Sequence, residues 1–526
     1  MDKEKVAKKG LKNLLGNRLI LVLSEVVILL AGIWLRIGHL FRIPEGIPYK
    51  LGALYYEFAL QIIQNGFKIP NLIPYFSDGG MPFAYPPLPF YLEAVIIKLF
   101  NPDKFLLVNV LPPILLVISL FTFIILAKTI FPNNRLAQIF SLLIFAILPN
   151  AYIEQTLAAG VAEAFGTVIL ILILIVIVKS KFDNIRDYLF IGCMGGICIM
   201  SSPGTAYAMV YLYFSLIVLM ISKKIPFKKA LIGLMLAGIT TVIVSLPYFI
   251  PVIKNHTLAV FTQSFVGQHG SDSLITQLKY TFSFQYLTLD NLFFIIGIIG
   301  FFILLRQNKP LIPFWFITIN LIPRESAWLI SPSAALMVGF GTQQIASFLK
   351  GGFSLKDWQK LVATLVMFFM LVGFVGGKLI YLYNYQRDYI QMQIDSLPTQ
   401  GQLQVLEWIR DNTSENAKIV VISTPDIIEW SPVLTERTVL NVRYGTEWDV
   451  KERETIQVFN QDIDKKCETL NCVLDHVLVS FAVTDFYLVI DENVKSILDI
   501  TSEKYSINQL IFDDGLYVYS VKPVVQ

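Results

Sequence analysis

The run Glu163-Ala-Phe-Gly-Thr-Val-Ile-Leu-Ile-Leu-Ile-Leu-Ile-Val-Ile-Val-Lys179 has a carboxylate at one end, an amine at the other and no charge between them. A bilayer core is about 30 Å thick and takes about 20 apolar residues, somewhat fewer when charged ends snorkel. The run therefore reads as a membrane span. Similar runs lie on both sides of it, at 19–40, 105–127, 136–150, 187–200, 204–222, 230–252, 291–306, 310–322, 330–348 and 360–383. Together they make eleven spans. The whole chain agrees: of its 526 residues, 55% are hydrophobic and 15% charged, and the mean hydropathy is +0.61. A soluble domain runs nearer 45–50% apolar and about 25% charged, so a soluble enzyme is excluded. Gly 31 and Pro 25 exclude collagen-like and low-complexity chains.

Charge divides the chain and sets an orientation. Residues 390–526 hold 11 basic and 22 acidic side chains, the remainder 31 and 17. The net +3 is too small to argue for nucleic acid. The pattern is a basic membrane body, 1–389, with an acidic, water-facing tail, 390–526. Lys3, Lys5, Lys8, Lys9, Lys12 and Arg18 precede the first span, which runs on through Trp34 and Arg36 with no small-residue cleavage site, as a signal-anchor does. Connectors rich in Lys and Arg stay in the cytoplasm. With the N-terminus inside and 87–104 left as an interfacial helix pair, the inside connectors carry 20 basic residues and the outside loops 8. The expectation is a multi-pass plasma-membrane protein whose long 41–104 loop, 253–290 loop and C-terminal domain share the extracytoplasmic face.

The 41–104 loop carries an amphipathic pattern over 48–66 (Leu51, Leu54, Phe58, Ile62), expected to lie as a helix on the membrane surface. Pro86-Pro87 forbids a helix through 85–87 and favours one starting just after. Tyr75, Phe76, Phe83, Tyr85, Phe90 and Tyr91 are expected at headgroup level, as an interfacial belt or as a platform for a sugar or lipid. Glu163 stands at the mouth of its span, where a carboxylate at membrane depth marks a functional candidate. Arg324 is the one base in its outer turn and suits a phosphate. Glu25, inside the first span, is expected to face the bundle and be hydrogen-bonded there. His39, His256, His269 and His476 have no metal-ligand spacing. Cys467 and Cys472 can close a small disulfide loop. Strand-like runs at 418–423, 438–442, 486–490 and 515–521, with the amphipathic helix from Leu403, suggest a small α/β domain.

Tyr55, Ala59, Gly66 and Pro86-Pro87-Leu88, then Pro149 with Glu163 fourteen residues on, follow the order found in the GT-C superfamily of polytopic glycosyltransferases, which this chain resembles. The protein mannosyltransferase and aminoarabinose transferase families belong to it. The runs from Leu403 and from Trp430-Ser-Pro to Arg437 look like the soluble domain appended to many relatives. The resemblance implies transfer of a sugar from a polyprenyl-phosphate-linked donor to a lipid, glycan or protein acceptor. It implies a carboxylate from the first loop as base, Asp78 or Glu57, with Glu163 as a second acid and Arg324 on the donor phosphate. Tyr55, Tyr85 and Tyr91 form the substrate or lipid platform. A divalent metal serves parts of the superfamily, but no ligand set here argues for one. One departure stands out: Leu51 and Gly52 occupy the places where the family has its first acids. Two other classes therefore stay open, a lipid-linked glycan transporter and a non-catalytic assembly or binding protein.

Overall fold

The computed structural model describes residues 2–262, 291–319, 326–351, 377, 380–381, 384–467, 469–492, 494 and 504–524. The expected span 360–383 lies almost wholly outside the described residues, as do the end of 310–322 and most of the 253–290 loop.

Helix α1 (Asp2–Ile37) passes through a short 3-10 turn to Phe41. Val26, Val27, Leu30 and Trp34 on it are exposed, which suits a helix facing lipid. The chain returns through α2 (Ala53–Gln64), a two-residue hairpin of β1 (Leu72–Ile73) and β2 (Met81–Pro82), and α3 (Leu88–Phe100). Six further helices precede a gap in the described residues: α4 (Lys104–Ile130), α5 (Arg135–Ile147), α6 (Val161–Lys179), α7 (Ile185–Ile199), α8 (Pro203–Ser222) and α9 (Phe227–His256); beyond 290 comes α10 (Asn291–Arg306). Helices α11 (Leu311–Ile319) and α12 (Ser326–Gly351) are the last of the bundle among the described residues up to 351. Among the described residues five helices are long and apolar enough to cross a membrane, α1, α4, α6, α8 and α9, and a sixth if the bent pair at α5 counts as one. That bend, 82° between Arg135–Ile147 and Pro149–Thr156, comes at Leu148, pushed to extended ψ by the proline after it. Helix α4 packs on α6, α5 on α12, and α7 on α9.

Glu25 does pair within the bundle: its carboxylate accepts from Lys128 Nζ at 2.7 Å and Arg135 Nη1 at 3.2 Å. These groups lie at the end of the bundle away from the 41–104 loop. The loop itself is pinned to α4 by Asn109, whose Oδ1 accepts from Tyr49 N and whose Nδ2 donates to Ile47 O.

Three expectations for the loop are corrected. Helix α2 does not rest on a membrane surface: Leu54, Phe58, Ala59 and Ile62, its apolar face, are buried against protein. Phe76, Phe83 and Phe90 are likewise core residues, not a headgroup belt. The expected helix pair over 87–104 is one helix, α3, which starts directly after Pro86-Pro87.

After helical residues 384–394 and helix α13 (Gln400–Asn412), the tail folds around a five-stranded sheet ordered β4-β3-β5-β7-β6. Strand β3 (Lys418–Ile422) runs parallel to β4 (Thr438–Val439) and β5 (Phe486–Asp491). Strand β7 (Leu516–Pro523) is antiparallel to β5 and to β6 (Tyr505–Asp513). Helix α14 (Pro425–Thr435) links β3 to β4; α15 (Val450–Lys466) and α16 (Leu470–Phe481) precede β5. First-loop residues continue the sheet: Val439 N donates to Tyr75 O at 2.9 Å and Ser77 N to Val439 O at 3.0 Å. One hydrophobic core runs without a break from the bundle into this sheet.

Candidate functional site

Glu163 lies in the first turn of α6, where the helix dipole favours a negative charge. Tyr85, in the proline-rich approach to α3, donates to Glu163 Oε1 at 3.5 Å, and Tyr55 on α2 donates to the Tyr85 hydroxyl at 2.9 Å. Three residues singled out from the sequence thus form one hydrogen-bonded chain across three elements. The rings of Phe58 and Phe90 surround Tyr55 and Tyr85 at 5.0–6.2 Å between centroids, fixing both phenols. Trp448 from the tail stands edge-on to Tyr85 at 6.2 Å. The tail therefore forms one side of this cluster. Its approach depends on Gly445, at φ 90°, where a Cβ would meet Met81 Cε at 2.0 Å.

The missing first-loop acid at Gly52 has a steric explanation. Ala158 N donates to Tyr49 O at 3.0 Å, pressing the start of α2 onto the turn before α6. Gly52 adopts φ 150°, and a Cβ there would lie 2.7 Å from Ala158 Cβ. No aspartate fits. Carboxylates reach this place from the other end of the chain instead, on α14. Asp426 pairs with Lys50 Nζ at 3.1 Å, and Glu429 Oε1 accepts from Leu54 N in the uncapped first turn of α2 at 3.3 Å. Both acids are buried, and burial raises Asp426 while Lys50 lowers it. Trp430, between them and the core, donates its indole N–H to Lys50 O at 3.0 Å. The one signal for these acids in the sequence is their i, i+3 spacing on a helix face.

Asp78 is exposed and paired with Lys418 Nζ of β3 at 2.7 Å. Tyr91 donates to Phe67 O at 3.2 Å, outside the Tyr55–Tyr85–Glu163 chain. Arg324 lies outside the described residues. Glu57 is buried and accepts from Gln61 Nε2 at 2.9 Å. Burial raises its carboxyl to about 7, with the Gln61 hydrogen bond pulling it down and Glu436 pushing it up. The folded state thus keeps this proton to about pH 7, while an unfolded chain releases it near 4.5. Folding takes up a proton between those values, so stability falls as pH rises through them. Glu57→Gln should remove that slope, matching wild type near pH 4 and exceeding it at pH 8 by about 1–3 kcal/mol in thermal denaturation. Glu93 on α3, which sequence reading passed over, is fully buried, and burial alone holds its carboxyl well above the usual range.

Cys467 and Cys472 form a disulfide with Cα atoms 5.3 Å apart. With His476 they are the one cluster of three metal-ligand side chains among the described residues, and both sulfurs are spent in the bond. Among the described residues, the carboxylates near Glu163 form no such group.

The sequence matches no protein-family model and no curated protein. Among solved structures, the archaeal oligosaccharyltransferase AglB from Archaeoglobus fulgidus, in complex with an inhibitory peptide and a dolichol-phosphate, superposes with a TM-score of 0.55 at 14% identity, over 90% of this chain and 70% of its own. ArnT from Cupriavidus metallidurans, bound to undecaprenyl phosphate, gives 0.53 at 10% identity over 96% of this chain and 98% of its own. At such identities the likeness is one of fold. Long apolar helices and these neighbours make the chain an integral membrane protein with the GT-C fold.

Proposed function

We propose that this chain transfers a sugar from a polyprenyl-phosphate-linked donor to an acceptor hydroxyl on the extracytoplasmic face, with eleven spans, a cytoplasmic N-terminus and residues 390–526 outside. The observation that carries the reading is the Tyr55–Tyr85–Glu163 chain beneath the first loop. The neighbours support the donor class, since AglB was solved with dolichol-phosphate and ArnT with undecaprenyl phosphate. A disulfide in the tail fits an oxidising compartment.

Glu163 serves as general base. It takes the acceptor's hydroxyl proton as that oxygen bonds to the anomeric carbon, and the bond from that carbon to the phosphate oxygen breaks. The electron pair goes to the phosphate, where Arg324 offsets the growing charge. Tyr85 fixes the carboxylate, and Trp448 with the aromatic cluster forms the platform for the sugar. Asp78 and Glu57, the expected bases, keep positioning duties here: Asp78 fastens the loop to β3, and Glu57 on α2 holds Gln61.

Purified protein in vesicles with a polyprenyl-phosphate-linked sugar and a lipid acceptor should form the glycosylated acceptor. Tyr85→Phe should lower kcat about threefold to tenfold through loss of one hydrogen bond. Passage of the donor across the bilayer without chemistry would instead establish a transporter. The closed position at Gly52 favours a rival of a third class, an assembly or binding protein. Glycan binding by the tail with neither transfer nor translocation would establish that one.

A further inference from the structure

At the loop end of α1 a cleft opens between the last turns of that helix and residues 386–390. It shares no lining residue with the Tyr55–Tyr85–Glu163 chain. We propose that it binds a phosphate group, brought to it on the headgroup of an anionic bilayer lipid.

Its chemistry is one-sided. Arg42 and Arg387 line it together with His39, and no acid does among the described residues. His39 is buried to 2% exposure, and neither ring nitrogen has a hydrogen-bond partner among the described residues. Tyr49 packs against the imidazole at 4.9 Å between centroids, so the ring is fixed where it stands. A buried imidazole left unsatisfied by protein is a costly arrangement unless something entering the cleft completes it. Two guanidinium groups beside it set the sign of that ligand, and their planar forks suit phosphate oxygens. Arg387 does pair with Asp388 at 3.1 Å, but both side chains are largely exposed and such pairs hold weakly. Gln386 is committed elsewhere: it accepts from Tyr152 Oη at 2.8 Å and donates to Leu35 O at 2.7 Å. It thereby fixes Arg387 against α1.

The position favours a lipid over free phosphate. The cleft sits where the apolar stretch Leu21–Phe41 ends. Trp34 and Phe41, exposed and stacked at 5.8 Å, flank it as interfacial aromatics do. Below them Leu30, Val27 and Val26 present an exposed apolar track along α1 for acyl chains.

Native mass spectrometry of protein released from phosphatidylglycerol or phosphatidylcholine nanodiscs tests this. Wild type should retain phosphatidylglycerol preferentially. Each arginine removed should weaken retention about tenfold, so Arg42→Ala with Arg387→Ala costs about a hundredfold. Both arginines are exposed, and an unchanged thermal midpoint will show the double variant folded. His39→Phe, which keeps the cleft's charge and bulk, should weaken retention about tenfold. Equal retention by wild type and the double variant, or no preference for phosphatidylglycerol, overturns the proposal. A third arm titrates millimolar inorganic phosphate. Displacement of the lipid at such concentrations would make free phosphate the ligand and overturn the lipid assignment, whereas retention supports it.

Discussion

Glu163→Gln should lower kcat for sugar transfer by about 10²–10⁴-fold, the range supplied by a positioned general base, while leaving KM for the lipid-linked donor within about twofold. The substitution is nearly isosteric, and its amide oxygen can still accept from Tyr85. It removes the proton acceptor and little else. The residue sits in the first turn of α6 with its backbone carbonyl taken by Thr167 Oγ1 at 2.8 Å, so the helix start should survive. Loss of kcat with unchanged donor KM marks an interaction made only in the transition state. A variant that turns over like wild type would remove Glu163 from the chemistry, and a raised KM with normal kcat would make it a binding residue. Arg324→Ala should behave differently, lowering kcat/KM about 10²–10³-fold through charge that develops on the leaving phosphate.

Trp430→Ala should destabilise the protein by about 3–5 kcal/mol, the cost of truncating a buried Trp. The side chain is fully buried, lies 5.0 Å edge-on to Phe105 of α4, and gives its one N–H to Lys50 O. Its loss empties the junction between bundle, loop and tail at once. Neighbouring Lys50–Asp426 and Glu429–Leu54 contacts would then open to water. The predicted sign is proteolysis of the released tail in detergent at a temperature where wild type resists. Trp430→Phe should keep most of the packing and lose chiefly the hydrogen bond, about 1 kcal/mol. Equal protease resistance of the Ala variant and wild type would show that the tail is held by other contacts.

The bundle was legible because membrane helices announce themselves by length and apolarity, and the helix after Pro86-Pro87 because proline constrains backbone on one side of itself. Glu163 stood out for the same reason: a carboxylate in an apolar run is expensive anywhere it is not used. Tyr55 came from the order of motifs and Tyr85 from the cluster of loop aromatics, and their contact could be read only after α2 and α3 were packed. Glu93 went unread since an acid in a loop helix looks solvated until its face is known to be inside. Strand β6 was missed because most of its side chains are exposed, leaving little apolar alternation to follow. The membrane-surface reading of α2 failed for a related reason. An amphipathic pattern states that one face is covered, and the cover here is α3 and α14, the latter encoded far downstream. Asp78 had a motif's address but a partner, Lys418, that no local pattern discloses.

That junction has a consequence in time. Lys50 and Trp430 are 380 positions apart, and at ordinary ribosomal rates of about 5–20 residues per second the first waits roughly 20–80 s for the second to be made. Until then the newborn loop has a lysine without its acid and a helix start without its acceptor. A stop codon before Asp426 would therefore strand the early half in this unfinished condition, and quality-control proteases should clear it.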